Sequence, residues 1–133
     1  MKALFSVACL LTFVSCGSPG DGFDGGSKGN TPVCNVTAQT SYQTGSPITG
    51  SGTVSCSESA QLSIKVCLYM KNPSDSAWGN PVICADRSNS GTSISTTTQV
   101  GAGGLSKNYR TVVEGNADGV SVQSQTSSPV TAP

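Results

Sequence analysis

The sequence contains no histidine. Imidazole is therefore excluded as a general base, a triad member or a metal ligand, which removes most hydrolase and many metalloenzyme chemistries. Charge is scarce as well: 11% of the 133 residues are charged, against roughly 25% in an ordinary domain. The basic residues Lys28, Lys65, Lys71, Arg87, Lys107 and Arg110 are scattered along the sequence. No electrostatic footprint for nucleic acid or for an anionic membrane surface is expected from that spacing. No Cys-x-x-Cys pair occurs, so a zinc site is not expected, nor any other metal or cofactor. Stretches of Ala, Leu, Glu and Lys that would favour long helices are also missing. The polar surface must be built from Ser, Thr, Asn and Gln, which points to an all-β exported domain.

What is present begins with residues 1–15. Lys2 supplies a single positive charge, and residues 3–14 are apolar except for Ser6 and Thr12. That length suits the apolar region of a secretory signal and falls short of the roughly 20 residues a membrane-spanning helix needs. Phe13-Val14-Ser15-Cys16 follows, with Phe13 where a bacterial lipobox usually has Leu. This segment resembles the signal of bacterial lipoproteins. The resemblance implies that a signal helix over residues 1–15 is removed and that Cys16 carries diacylglycerol. Two or three acyl chains would then anchor the protein, at about 0.8 kcal/mol per buried methylene. The expected location is the cell envelope, at the outer membrane or the cell surface. The alternative is ordinary cleavage near Gly17 and release of a soluble secreted protein.

Residues 16–31 hold many glycines and one large apolar residue, Phe23. They read as a flexible tether behind the lipidated cysteine. Residues 32–127 form the expected domain and residues 128–133 a C-terminal tail. Within the domain, turn residues separate short β-like runs at 33–40, 48–56, 61–70, 80–86, 93–100, 107–115 and 120–126. The third is the clearest: Leu62, Ile64, Val66, Leu68 and Met70 alternate with Ser63, Lys65, Cys67 and Tyr69, a period of two. About seven strands of this kind predict a single antiparallel β-sandwich.

Two further segments carry a resemblance. Residues 108–124 (NYRTVVEGNADGVSVQS) resemble the closing hairpin of a fibronectin type III or immunoglobulin-like domain. That implies Tyr109, Thr111 and Val113 facing inward and Gly119 in the turn. Val66-Cys67-Leu68, Trp78 and Cys84 are similar to a pattern found in small secreted bacterial domains. Fold likeness of this kind implies no activity.

With Cys16 lipidated, Cys34, Cys56, Cys67 and Cys84 remain as an even set for two disulfides outside the reducing cytoplasm. Three connectivities are possible, and Cys34–Cys56 with Cys67–Cys84 is favoured because each ties sequential strands. Alternation puts Cys67 and Tyr69 on the outward face, with Trp78 in the following turn. Those two aromatics are the candidate binding residues, for a protein or a sugar ring. The competing reading folds Trp78 back over the hairpin as a cover. Neither Ser-x-x-Lys nor a carboxylate pair of telling spacing occurs, so no catalytic residue is named. The expectation is a monomeric, non-enzymatic lipoprotein with a structural, adhesive or protein-binding role. A small carbohydrate-binding module and a freely secreted protein stand as alternatives.

Overall fold

The structure is a computed structural model and describes residues 31–133. The expected signal, the lipidation of Cys16 and nearly all of the tether lie outside the described residues. The described part is all-β, with no helix: β1 (Cys34–Ser41), β2 (Ile48–Lys71), β3 (Pro81–Val100), β4 (Lys107–Ala117), β5 (Val120–Thr126) and β6 (Val130–Ala132). Every pairing is antiparallel.

Apart from Val33 and Asn80, all residues of the seven expected runs lie in strands, but they are not seven separate strands. The second and third are two halves of β2, and the fourth and fifth are two halves of β3. The sequence between the halves of β2 (Ser57-Glu58-Ser59) has no glycine or proline to break the strand. The ladder bends instead. Between Ser55 and Ala60 the register shifts, so residues 56–59 of β2 face only residue 92 of β3. Such an excess on one strand forces a local kink. Gly91 sits there at φ 153°, where a residue without a Cβ is least strained.

The result is one six-stranded sheet curled into a half-barrel, in place of the expected sandwich of seven strands. β3 flanks β2 along both halves, while β1 pairs with the first half of β2 and β4 with the second. Curling brings the first half of β2 face to face with β4, and glycines make the approach possible. A Cβ on Gly52 would lie 2.5 Å from Val113 Cγ2, and one on Gly115 would lie 2.5 Å from Val54 Cγ2. Each backbone therefore receives a valine from the opposite side.

The enclosed apolar residues include Leu62, Ile64, Val66 and Leu68, which alternation placed inward, and Tyr109 and Val113, which the hairpin resemblance placed inward. Val54, Leu62, Val66 and Val113 are fully buried in one cluster, and Ile48, Leu68 and Tyr109 belong to a second. Burial pushes the Tyr109 phenol above its ordinary pKa. Thr111 is buried between them, and its hydroxyl meets Thr40 Oγ1 at 2.6 Å, which meets Ser127 Oγ at 2.7 Å. Protons passed from Thr111 to Thr40 to Ser127 to the Ser128 carbonyl satisfy every hydroxyl in this chain. The stretch read as a tail is thus part of the fold. The Ser128 carbonyl closes the network, and β6 pairs with β4 with Ala132 only 1% exposed. Its short length and flanking prolines, Pro129 and Pro133, concealed it.

The β4–β5 hairpin turns on Asp118 (φ 51°) and Gly119 (φ 81°), the two positive-φ residues of a type I′ turn. Asp118 also accepts from the Gln61 N–H at 2.8 Å through Oδ1 and donates its own N–H to the Gln61 carbonyl. The turn is thereby tied to β2 just past the bend.

Candidate functional site

The two halves of the curled sheet have different outer faces. No Lys, Arg, Asp or Glu occurs in residues 31–57 or 88–106, so β1, the first half of β2 and the second half of β3 carry no charge. Their outward positions are hydroxyls and amides, such as Asn35, Thr37 and Gln39 beside their ladder partners Ser55, Thr53 and Ser51. The charges gather around the other half, where the second half of β2 lies between β3 and β4.

Both disulfides join residues directly opposite each other in a ladder. Cys34 is bonded to Cys56 across β1 and β2, and Cys67 to Cys84 across β2 and β3. This is the connectivity favoured from strand order. Cys67 points outward by alternation, as its ladder neighbours Lys65 and Tyr69 do, yet it is 5% exposed, while Cys84 is exposed. Four residues of β2 (68–71) and three of β3 (81–83) separate the bridge from the loop at 72–80, so it clamps the base of the loop that carries Trp78.

That loop is ordered by its own polar groups. Asp75 Oδ2 accepts from the Asn72 backbone N–H at 3.1 Å and from Asn72 Nδ2 at 2.8 Å. Lys71 Nζ donates to the Asp75 carbonyl at 2.8 Å, and Lys107 Nζ donates to Asn72 Oδ1. So held, the loop returns Trp78 to the sheet, where it is half-buried. The Arg110 guanidinium lies 4.5 Å from the Trp78 ring centre and 5.6 Å from that of Tyr69, and Lys71 Nζ lies 5.3 Å from Trp78. Both candidate aromatics are thus brought to one place, with a cation against each. Arg110 Nε is buried without a hydrogen-bond partner. Contact with ring faces replaces part of its hydration, since cation–π attraction strengthens as water leaves.

Sequence spacing gave no hint of this cluster. Tyr69 is paired with Arg110 and Lys71 with Asn108, one residue from Lys107. The fold therefore brings Lys71 and Arg110 together at one end of the face, while Lys107, whose ladder partner is the buried Ala132, reaches Asn72 from the opposite side of the strand. Arg110 could have been found as an outward residue between the inward Tyr109 and Thr111. Its partners depend on register and could not.

The far end of the same face is a shallow polar cavity of about 360 Å³. Lys65 stands there between its ladder partners Asp86 and Glu114. Among the described residues, no group of three Cys, Asp or Glu side chains could hold a metal ion. Comparison with protein-family models finds no match for the chain, and no curated protein matches it.

Proposed function

We propose that the chain is an exported, lipid-tethered, non-enzymatic display domain that makes protein contacts through the face bearing Tyr69, Trp78 and Arg110. The pair of disulfides in so small a β domain carries the reading of export, because such bridges persist where thiols are not kept reduced. Residues 16–31 then serve as a spacer that holds the domain clear of the lipid headgroups, with Cys16 as the acylated residue. The clamped loop supports a contact role for Trp78, since an anchoring side chain held in place loses little entropy on binding. A carbohydrate-stacking role for Tyr69 and Trp78 is less well supported, because the Arg110 guanidinium already lies against both rings.

The test is the mass of the mature amino terminus from the native cell. A diacylglyceryl Cys16, lost in a Cys16→Ser variant together with membrane association, is the expected result. An unmodified terminus at Gly17 or Ser18 would remove the anchor and leave a secreted protein.

A further inference from the structure

We infer that the cation–aromatic end of this face binds an extended acidic peptide segment with carboxylates at alternate positions. The inference rests on the reading of this face as the contact face and adds the chemistry of the partner. Three observations carry it. First, Lys71 and Arg110 stand together there, and their contacts are to a carbonyl oxygen and to rings. The carboxylate nearest in sequence to Lys71, Asp75, is held by Asn72, and the one nearest to Arg110, Glu114, is the ladder partner of Lys65. The half-sheet without charges leaves this end as the place where a partner of opposite sign has something to meet.

Second, Arg110 is prepared for a carboxylate. Its guanidinium lies against two rings, and Nε is the one side-chain nitrogen of Arg110 that is buried without a partner. Among the described residues, no hydrogen bond from the two terminal nitrogens is formed. A guanidinium already held in one orientation presents its planar fork to both oxygens of a carboxylate.

Third, the spacing suits a strand. Tyr69 pairs with Arg110 and Lys71 with Asn108, so Arg110 and Lys71 are diagonal neighbours on the ladder. Such neighbours are about 7–8 Å apart. Alternate side chains of an extended peptide are about 6.7 Å apart. One carboxylate would meet the Arg110 fork and the next the Lys71 ammonium, with the Trp78 ring covering the chain between them.

Trp78 is the only tryptophan of the chain, so its fluorescence reports this site alone. The disulfide-bonded protein would be titrated with a peptide of alternating Glu and Ser, with the same peptide carrying Gln for Glu, and with an oligogalacturonate. The expected result is a saturable shift with the Glu peptide only, weakening as ionic strength rises. Arg110→Lys keeps the charge but loses the fork, and should weaken binding about tenfold, the loss of one charge-assisted hydrogen bond. Lys71→Gln should weaken it as well, and serves if Arg110→Lys does not reach the wild-type melting temperature. Equal binding of the Gln peptide would overturn recognition of carboxylates. A response to the oligogalacturonate alone would overturn the peptide class while keeping the face as a binding face. Silence with every probe would overturn both.

Discussion

Gly115 and Val54 meet across the interior of the curled sheet as a hole and its knob. The clash a Cβ would cause at Gly115 is almost wholly with Val54: Cγ2 at 2.5 Å, against 3.5 Å for the next neighbour, Val36 Cγ2. Gly115→Ala should therefore destabilise by about 1–3 kcal/mol through overpacking. Val54→Ala alone should cost about 2 kcal/mol as a cavity. Combined, the two should cost less than their sum by at least about 1 kcal/mol, because the new methyl enters the space the valine vacates. Urea denaturation of the four proteins measures this coupling. Strict additivity would mean that the strands do not approach as closely as described. Gly52 is a poorer choice for the cycle, since its Cβ would meet both Val113 and Val66 within 3 Å.

The two disulfides act on different elements. Cys34–Cys56 lies at the open end of the β1–β2 hairpin, opposite the turn at 42–47, and holds a strand whose ladder partner is β2 alone. Cys67–Cys84 lies beside the loop at 72–80 and fixes the base on which Trp78 is mounted. Replacing Cys67 and Cys84 by Ala should loosen the Trp78 environment, seen as a red shift and easier acrylamide quenching, with β1 amides still protected. Replacing Cys34 and Cys56 should do the reverse, raising hydrogen exchange in β1 and leaving Trp78 fluorescence unchanged. Identical effects from both pairs would refute the division.

The elements also show what the sequence could reveal. Alternation from Leu62 to Leu68 identified inward residues, because one face of that strand is buried and the period of two is then visible, while the inward Tyr109, Thr111 and Val113 came from the hairpin resemblance. The hairpin resemblance placed Gly119 in its turn, and the structure adds Asp118, since the turn needs two positive φ angles. The bend between Ser55 and Ala60 was illegible: it arises from a mismatch between two strands, which neither encodes alone. The same holds for the site. Trp78 and Tyr69 could be picked out as outward aromatics, whereas Arg110 and Lys71 join them through the register of β2 against β4.

For the molecule as a whole, the disulfides matter because the apolar interior is modest. Glycines at 50, 52 and 115 occupy inward positions where larger side chains would bury more apolar area. The loops closed by the two bridges, with separations of 22 and 17 residues, do not overlap. Their effects on the unfolded chain should therefore add. Each contributes about 3 kcal/mol on the chain-entropy estimate, or about 6 kcal/mol together. A domain of this size has roughly 5–15 kcal/mol in total. Full reduction should consequently bring the domain close to, or past, its folding midpoint at 37 °C, while each single pair replaced by Ala remains folded. Circular dichroism melts with and without a strong dithiol reductant would measure the difference. A reduced protein that melts within a few degrees of the oxidised one would show that packing around Val54, Val66 and Val113 suffices. The bridges would then have to be explained by the positions of β1 and Trp78, and the domain could fold in a reducing compartment as readily as outside one.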